Sequence, residues 1–333
     1  MNQWAGLQGQ KRRFTMIWVI GDIHGMFDPL KRIMSSIHAN SRRKDSDTEI
    51  EKIIFLGDYI DYGPSSKEVV DYIMDLPFKT VCLMGNHDDL MLQFLERSDL
   101  FKSFGNVWFR GNGGQRTVSS FFPKVFYSDS NEEMPREEFP LGDKYLQFFK
   151  NLIVSHAEQI GDWKFAFVHA MLSTAFSVQE QLLLKSYDDF HRWRKEKKLW
   201  IEDTILWDRS EPKKKFDDYI LVHGHTPTTK LDKMWEHLNG YDAHSGTPFF
   251  KFEEAEGEPI EFKKESYKAS YTAPIERLIS INVDTGAVYG NRLTAIGLSE
   301  ELLSENKFLV CQVLVDKGYR LAEEYQSYYV HLE

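Results

Sequence analysis

The chain is poor in cysteine. Cys82 and Cys311 are its only two cysteines, and each lies in an apolar stretch that predicts a buried strand. A disulfide framework is therefore not expected, and a reducing cytoplasm is the expected location. A phosphatase that attacks with a cysteine needs an arginine six positions later, but Asp88 and Lys317 occupy those positions. This class of enzyme is excluded.

Long apolar runs and an excess of positive charge are missing as well. The first apolar segment, residues 14–20, is too short for the core of a signal peptide and far too short to cross a bilayer, which takes about 20 residues. Lys and Arg number 41 against 51 Asp and Glu, a formal net charge of −10. This balance argues against non-specific binding to nucleic acid or to an anionic membrane. The phosphate loop ending in Gly-Lys-Ser/Thr is absent, which excludes P-loop nucleotide hydrolases.

The composition does supply a full core, since 42% of the 333 residues are hydrophobic and 14% are aromatic. Short apolar, β-branched runs predict strands, and each run ends directly before a polar motif. These runs are residues 16–20, 52–56, 80–84, 165–168, 219–222 and 278–283. Apolar residues at three-and-four spacing predict helices over residues 27–37 and 69–74. This order of elements is typical of a layered α/β protein.

The C-terminal part follows another pattern. Residues 287–296 and 307–316 alternate between apolar and polar positions with no helix between them. They predict antiparallel strands at a sheet edge or in a second sheet. We therefore expect an α/β fold in which a sandwich of two mixed β-sheets is flanked by helices, built as a single domain over residues 1–333.

Two segments are predicted to be insertions in this domain. Residues 121–144 are acidic and interrupted by proline, and residues 231–277 are rich in aromatic side chains. The second segment predicts a hairpin that turns at Glu256 and Gly257. Because it follows the last histidine motif, it is expected to emerge near the polar motifs, either as a lid or as a surface excursion.

Five polar motifs follow predicted strands: GDIHG at 21–25, GDYID at 57–61, GNHD at 85–88, VHA at 168–170 and HGHT at 223–226. The carboxyl ends of strands in an open α/β sheet meet at one crevice, so these motifs are expected to converge. Hydrolytic centres with two metal ions need a bridging carboxylate, further oxygen ligands and imidazoles, and the motifs contain all of these. The sequence therefore predicts a two-metal site at the carboxyl ends of the strands.

The motifs resemble those of the calcineurin-like metallophosphoesterases, and within them the phosphoprotein phosphatase family, whose pattern is GDxHG, GDxxDRG and GNH(E/D). The bacterial serine/threonine protein phosphatases look most similar, because further features recur. These are an NGG with a following Thr (residues 112–117), an LWxR element (206–209), a GHTP (224–227) and a DTGAVYG (284–290). The resemblance extends from Ile17 to Ala295 and implies the metallophosphoesterase fold.

This resemblance also implies the metal ligands. Asp22 and His24 would hold a first ion, with Asp58 as the bridge between the two ions. The implied ligands of the second ion are Asp58, Asn86, His169 and His225. Manganese is the expected metal for both positions, with iron or zinc as alternatives, because mixed Asp, Asn and His ligands suit all three.

The resemblance further implies how the reaction proceeds. A hydroxide between the two ions is expected to attack phosphorus in line, so no protein nucleophile is needed. His87 matches the general acid, which contributes roughly 100-fold to 10,000-fold. Asp61 matches the carboxylate that pairs with this histidine and keeps it protonated and oriented. Arg209 matches a phosphate-binding arginine whose planar fork takes two phosphate oxygens.

One position departs from the family pattern. Tyr62 stands where the family has the arginine of DRG. A tyrosine can donate a hydrogen bond to phosphate but brings no charge, which would weaken binding of a monoester dianion or shift preference to a diester. The alternative is that Tyr62 packs against the core and another basic residue replaces the arginine. His223 also leaves two interpretations open, as a partner of a metal ligand or as a plain strand-end residue.

The sequence favours a protein serine/threonine phosphatase, supported by Asp61. A diadenosine tetraphosphatase-like enzyme or a phosphodiester hydrolase of the same fold is the alternative, supported by Asp88 in GNHD and by Tyr62. A non-catalytic scaffold is disfavoured because no expected ligand is missing. The expected partner is a phosphorylated protein or peptide, or a small phosphoester. No nucleic acid and no membrane is expected.

Overall fold

The fold is described from a computed structural model of the chain. The structure describes residues 14–41, 48–96, 107–122, 139, 141–228, 248–253, 262–265, 268–315 and 321–332. Within these ranges no helix is both long enough and apolar enough to cross a membrane.

The strands, in chain order, are β1 (Phe14–Ile20), β2 (Thr48–Phe55), β3 (Thr80–Cys82), β4 (Ser155–Ile160), β5 (Trp163–Val168), β6 (Tyr219–His223), β7 (Phe249–Phe252), β8 (Phe262–Glu265), β9 (Lys268–Tyr271), β10 (Leu278–Asn282), β11 (Arg292–Leu298), β12 (Lys307–Val315) and β13 (Leu321–Leu332). The α-helices are α1 (Phe27–Ser41), α2 (Ser66–Met74), α3 (Asn86–Glu96), α4 (Gly114–Phe121), α5 (Asp143–Lys150), α6 (Val178–Leu182), α7 (Tyr187–Lys197) and α8 (Glu300–Ser304). Short 3₁₀ turns lie at Ile201–Asp203, Ile275–Arg277 and Ala287–Tyr289, and a π-helical turn at Val107–Gly111.

These strands form two mixed sheets. Eight of them lie in the order β3-β2-β1-β11-β12-β13-β9-β8, and five in the order β4-β5-β6-β10-β7. In the first sheet β1, β2 and β3 are parallel, whereas β11 and β12 run antiparallel to their neighbours. In the second sheet β5, β6 and β10 are parallel. The predicted α/β sandwich of two mixed sheets is confirmed, and it carries one set of parallel strand ends on each sheet.

The sequence of β1 shows why the sheets stack. Trp18 and Ile20 belong to the apolar cluster between the first sheet and its helices. Ile17 and Val19, which point to the opposite face, belong to the cluster shared with β5, β6 and β10 of the second sheet. Both faces of the strand are therefore buried, which explains its nearly continuous apolar sequence.

Helix α1 covers the outer face of the first sheet. Its apolar residues Leu30, Ile33, Met34 and Ile37 are fully buried and repeat at helical spacing. The helix contacts β11 and β12 as well as β2. It therefore spans the middle of the sheet and anchors the end of the loop that connects β1 to α1.

The C-terminal strands differ from the prediction in two ways. Residues Ala287–Tyr289, predicted as strand, form a 3₁₀ turn between Gly286 and Gly290, whose φ angles of 73° and 78° wind the chain in the left-handed region. β11 was expected at an edge or in a second sheet but lies in the interior of the first sheet, between β1 and β12. The expectation of an edge was wrong because its partner β1 comes from the other end of the sequence.

The hairpin predicted in residues 231–277 is also wrong in its pairing. β7 pairs with β10 in the second sheet, whereas β8 pairs with β9 in the first sheet. The two strands predicted to form the arms of the hairpin, β7 and β8, each pair with a strand later in the chain. The local sequence pattern does not indicate those partners. The turn at Glu256 and Gly257 lies outside the described residues, as do most of residues 121–144 and the start of the second insertion.

Candidate metal centre

The loops that follow five parallel strands bring the predicted ligands together. Asp22 and His24 follow β1, Asp58 follows β2, and Asn86 opens α3 after β3. His169 follows β5 and His225 follows β6. All six side chains are buried, with at most 9% of their surface exposed. The structure thus collects these polar side chains in one crevice at the ends of both sheets.

Asp58 lies at the middle of this crevice. Its Oδ2 atom is 3.4 Å from His24 Nε2 and 3.5 Å from His169 Nε2. Potential ligand atoms of His24, Asp58 and His87 lie within 4.8 Å of one another, and so do those of Asp22, Asp58 and His169. Asp58 is the residue that both groups share, as the bridging role requires. The groups pair His24 with His87 and Asp22 with His169, so the predicted division of ligands between two ions stays a prediction.

The imidazoles are oriented as metal ligands are. His24 Nδ1 donates to the carbonyl oxygen of Ile60 at 2.9 Å, and His169 Nδ1 donates to that of Leu56 at 2.9 Å. In a neutral ring this leaves the Nε2 lone pair pointing into the crevice. Burial lowers the pKa of His169 to about 3, which keeps this ring neutral.

A contact between two acceptor atoms indicates that these side chains suit a divalent cation. His169 Nε2 lies 2.9 Å from Asn86 Oδ1, and both atoms are acceptors when Nδ1 of the ring donates to Leu56. Facing lone pairs at this distance repel each other, and a cation that both atoms bind relieves the repulsion. His225 differs, because its Nε2 accepts from Arg209 Nε at 3.3 Å and its Nδ1 therefore donates to Asn86 Oδ1 at 2.9 Å. The metal itself is not identified by this donor set.

The buried carboxylates also indicate that this crevice suits bound cations. Burial raises the pKa of Asp22 well above its usual range, and the negative charges of Asp284 and Asp58 raise it further. Burial likewise raises the pKa of Asp58, and the charge of Asp88 adds to the effect. Several anions share this dry crevice, and bound cations would favour their ionised forms.

The backbone is strained where the ligands leave their strands. Five of the nine described non-glycine residues with positive φ belong to the site: His24, Asp58, Asp61, Tyr62 and His225. Such conformations cost about 1–3 kcal/mol each and persist where the surrounding structure enforces them. Two glycines make the close packing possible. A Cβ atom at Gly85 would collide with the Asp58 carboxylate, and one at Gly224 with that of Asp22.

His87 and Asp61 form a buried pair beside the ligands. His87 Nδ1 is 2.7 Å from Asp61 Oδ2, which also accepts a hydrogen bond of 2.9 Å from Trp108 Nε1. The hydroxyl of Thr117 donates to the other carboxylate oxygen at 2.5 Å. Burial lowers the pKa of His87 to about 3 and raises the pKa of Asp61, whereas the Thr117 and Trp108 hydrogen bonds oppose the rise at Asp61. His87 Nδ1 therefore donates to Asp61 Oδ2, and His87 Nε2 is left for the crevice.

Arg209 and Tyr62 lie near the mouth of the crevice. Arg209 is exposed, and its Nε atom is 3.3 Å from His225 Nε2. Tyr62 is half-buried and sits edge-on to the rings of His24 and His87, with centroids 5.2 and 5.1 Å away. Its hydroxyl lies 3.5 Å from Asn112 Oδ1. Tyr62 thus packs against His24, a predicted metal ligand, and against the predicted acid His87, and it adds no charge to the mouth.

No structural role was predicted for Asp88, yet its carboxylate holds the loops after β2 and β3 together. Its Oδ2 accepts the backbone N–H groups of Asp58 and Gly85 at 2.9 Å, and its Oδ1 accepts that of Tyr59 at 3.3 Å. Trp108 was missed as well, because its indole reaches Asp61 from a segment without a motif. The GNHD motif contained the signal for Asp88, whereas nothing in the local sequence pointed to Trp108.

The other histidines have varied surroundings. His223 ends β6, and its Nδ1 donates to the carbonyl oxygen of Gly224 at 3.2 Å. His191 pairs with Asp89 at 2.7 Å, and His156 pairs with Glu158 at 2.6 Å. None of these three rings contributes to the ligand groups around Asp58 among the described residues.

Comparisons with known proteins reveal two kinds of relative. A symmetrical bis(5'-nucleosyl)-tetraphosphatase of Legionella pneumophila is 25% identical over 198 residues, which is 58% of this chain and 62% of the relative. Serine/threonine-protein phosphatase 2 of Escherichia coli is 35% identical over 100 residues, which is 30% of this chain and 39% of the relative. The chain thus spans less than two thirds of the length of the curated relatives that it matches. The Escherichia coli relative agrees with the expected similarity to bacterial serine/threonine phosphatases, whereas the Legionella relative is a tetraphosphatase.

Among solved structures, the cold-active protein-tyrosine phosphatase of a psychrophilic Shewanella species superposes with a TM-score of 0.48 at 14% identity. The match covers 94% of this chain and 81% of that one. The profile described as calcineurin-like phosphoesterase matches residues 15–257, a range that contains all six predicted metal ligands. This match and the buried cluster around Asp58 agree with each other. The chain belongs to the calcineurin-like phosphoesterases.

Proposed function

We propose that the protein hydrolyses dinucleoside polyphosphates such as diadenosine tetraphosphate. The observation that carries the proposal is the charge at the mouth of the crevice, where Tyr62 takes the place of an arginine and Arg209 supplies the positive charge. Each inner phosphate of a dinucleoside polyphosphate carries one negative charge, whereas a phosphate monoester carries two near neutral pH. A mouth with less positive charge suits the former better.

The relatives support the same choice. The Legionella tetraphosphatase aligns over 198 residues, about twice the 100 residues aligned with the Escherichia coli phosphatase. The second candidate is a protein serine/threonine phosphatase, which the sequence favoured. It is supported by the higher identity of the shorter alignment and by the Asp61–His87 pair.

In the proposed mechanism the ligands around Asp58 hold two divalent ions, most suitably manganese, which when bound lower the pKa of water and neutralise phosphate charge. Arg209 binds oxygens of the scissile phosphate with its planar fork. Asp61 accepts the hydrogen bond from His87 Nδ1 at 2.7 Å and so fixes the ring. In its protonated form, with Nδ1–H bound to Asp61, His87 carries a second proton on Nε2. It donates this proton to the leaving oxygen as the P–O bond breaks, which leaves a neutral ring.

The test is a direct comparison of substrates. Purified protein with added manganese is assayed with diadenosine tetraphosphate, with phosphoserine and phosphothreonine peptides, and with bis-p-nitrophenyl phosphate. We expect the highest kcat/KM for the dinucleotide, and we expect Asp58→Asn to abolish all three activities, which ties them to this site. A higher kcat/KM for the phosphopeptides would refute the proposal in favour of the second candidate.

A further inference from the structure

A small cavity lies beside Arg209 and outside the ligand cluster. It has a volume of about 40 Å³ and is bounded by the loop of residues 208–212 and by the ends of three strands of the second sheet. His223 of β6, Lys251 of β7 and Asn282 of β10 line it together with Glu211 of the loop. Arg209 and Glu211 of this loop both line the cavity, and Arg209 Nε also lies 3.3 Å from His225 Nε2.

Glu211 is the unusual group in this cavity. Both of its carboxylate oxygens are shielded from solvent, and neither accepts a hydrogen bond from the described residues. Lys251 Nζ is 3.9 Å from Oε2, too far for a hydrogen bond. A buried carboxylate without donors costs about 1–3 kcal/mol or more, so the fold alone does not account for its position.

A second acceptor faces the same space. His223 Nδ1 donates to the carbonyl oxygen of Gly224 at 3.2 Å, so Nε2 of the neutral ring carries a lone pair. Asn282 is occupied within the fold, because its amide donates to the Thr226 carbonyl oxygen at 2.7 Å and its oxygen accepts from Asp284 N at 3.0 Å. Glu211 and His223 therefore present acceptors to a ligand that brings donors, and Arg209 and Lys251 add positive charge to the same lining.

The volume limits which donors can enter. A group the size of a water molecule needs about 10–15 Å³ of cavity volume, so a cavity of about 40 Å³ holds roughly three such groups. Two neighbouring hydroxyl groups and the edge of a sugar fit, whereas the ring system of a purine does not. Carboxylates accept hydrogen bonds from ribose hydroxyls in the same manner in dinucleotide-binding folds.

We infer that this cavity is a ribose subsite, in which Glu211 accepts hydrogen bonds from the 2′- and 3′-hydroxyls of a nucleoside whose phosphates lie at Arg209. The inference rests on the proposed function and adds to it a preference for ribonucleotides. Lys251, on the opposite wall, places a positive charge beside the carboxylate and lowers the cost of keeping it ionised.

The experiment compares sugars on an otherwise identical substrate. In the wild-type enzyme with manganese, kcat/KM for diadenosine tetraphosphate should exceed that for its 2′,3′-dideoxy analogue by roughly 10-fold to 100-fold, the effect of one or two hydrogen bonds to a charged acceptor. In Glu211→Ala the ratio should fall towards one, and in Glu211→Gln it should take an intermediate value. Asp217→Asn, an exposed acidic residue outside the cavity, should keep the wild-type ratio. Because the ratio is measured within one preparation, partial unfolding of a variant cancels.

A second measurement separates this inference from the proposed function. ADP and 2′,3′-dideoxy-ADP are compared as inhibitors of bis-p-nitrophenyl phosphate hydrolysis, which needs no turnover of a dinucleotide. Tighter inhibition by ADP that depends on Glu211 supports the subsite even if diadenosine tetraphosphate is not hydrolysed, in which case the proposed function alone fails. Equal inhibition by the two nucleotides, or equal kcat/KM for the two dinucleotides, overturns the subsite whether or not the proposed function holds.

Discussion

The charge at the mouth of the crevice can be changed at Tyr62. Tyr62→Arg places a second cation beside the ring positions of His24 and His87, which Tyr62 now contacts at centroid distances of 5.2 and 5.1 Å. The backbone at this residue has a φ of 57°, a conformation that costs a tyrosine and an arginine about the same. The substitution therefore tests charge with little change in strain.

The size of the effect follows from Coulomb's law. At about 4 Å an added unit charge interacts with each unit of phosphate charge by about 1 kcal/mol in water and about 4 kcal/mol near a protein surface. Tyr62 is half-buried, so a value of about 1–3 kcal/mol applies to the one extra charge of a monoester dianion. This corresponds to roughly 5-fold to 100-fold in kcat/KM.

The assay is the ratio of kcat/KM for p-nitrophenyl phosphate to that for bis-p-nitrophenyl phosphate. Tyr62→Arg should raise this ratio by the stated factor, and the gain should shrink as salt is added. Tyr62→Gln, which removes the ring without adding charge, is the matched control. If Tyr62→Arg and Tyr62→Gln give the same ratio, the argument from charge fails, and with it the main support for the dinucleotide substrate.

Four other predictions concern single groups. Chelation should abolish hydrolysis and manganese should restore it, but not in Asp58→Asn; activity that survives strong chelation would contradict a metal-dependent mechanism. His87→Ala should lower kcat by roughly 100-fold to 10,000-fold for a phosphoester with a strongly basic leaving group, and much less when p-nitrophenolate leaves; equal losses would exclude the role of general acid. Asp88→Asn should lower the free energy of unfolding by about 2–4 kcal/mol in urea titrations, because one carboxylate holds three backbone N–H groups; an unchanged midpoint at equal slope would refute this. Burial raises the pKa of Glu211 to about 7 from 4.5, so the folded protein keeps a proton that the unfolded chain releases. The free energy of unfolding should therefore fall by about 3 kcal/mol between pH 4.5 and 7, and Glu211→Gln should remove this slope.

The buried cluster of polar side chains around Asp58 could be predicted because the relevant signal is local. Asp22, Asp58 and His169 each stand within three residues of the end of an apolar strand, and the carboxyl ends of parallel strands meet. The positions of the strands and the buried face of α1 were predictable for the same reason, because the apolar patterns that indicate them repeat over a short stretch of chain.

The remaining features depend on contacts between distant parts of the sequence. β11 is interior because β1 pairs with it across the whole chain, and no periodicity within residues 292–298 encodes that partner. Trp108 meets Asp61, and Lys251 meets Glu211, only after both sheets have formed. The hairpin predicted in residues 231–277 was wrong for the same reason, because β7 pairs with β10 and not with the next apolar run along the chain.

The burial that organises the site also makes it dependent on cations. Asp22, Asp58 and Asp284 are at most 4% exposed, and the pKa values of Asp22 and Asp58 are raised by desolvation and by mutual repulsion. Without cations, the folded state holds protons that the unfolded chain releases above a pH of about 3.8, so ionising these groups near neutral pH destabilises the fold. Bound divalent ions reverse this balance, because they favour the ionised forms and bind the folded state alone. The strained loops at His24 and His225 can then be maintained, since the ions that the ligands hold also tie those loops to Asp58.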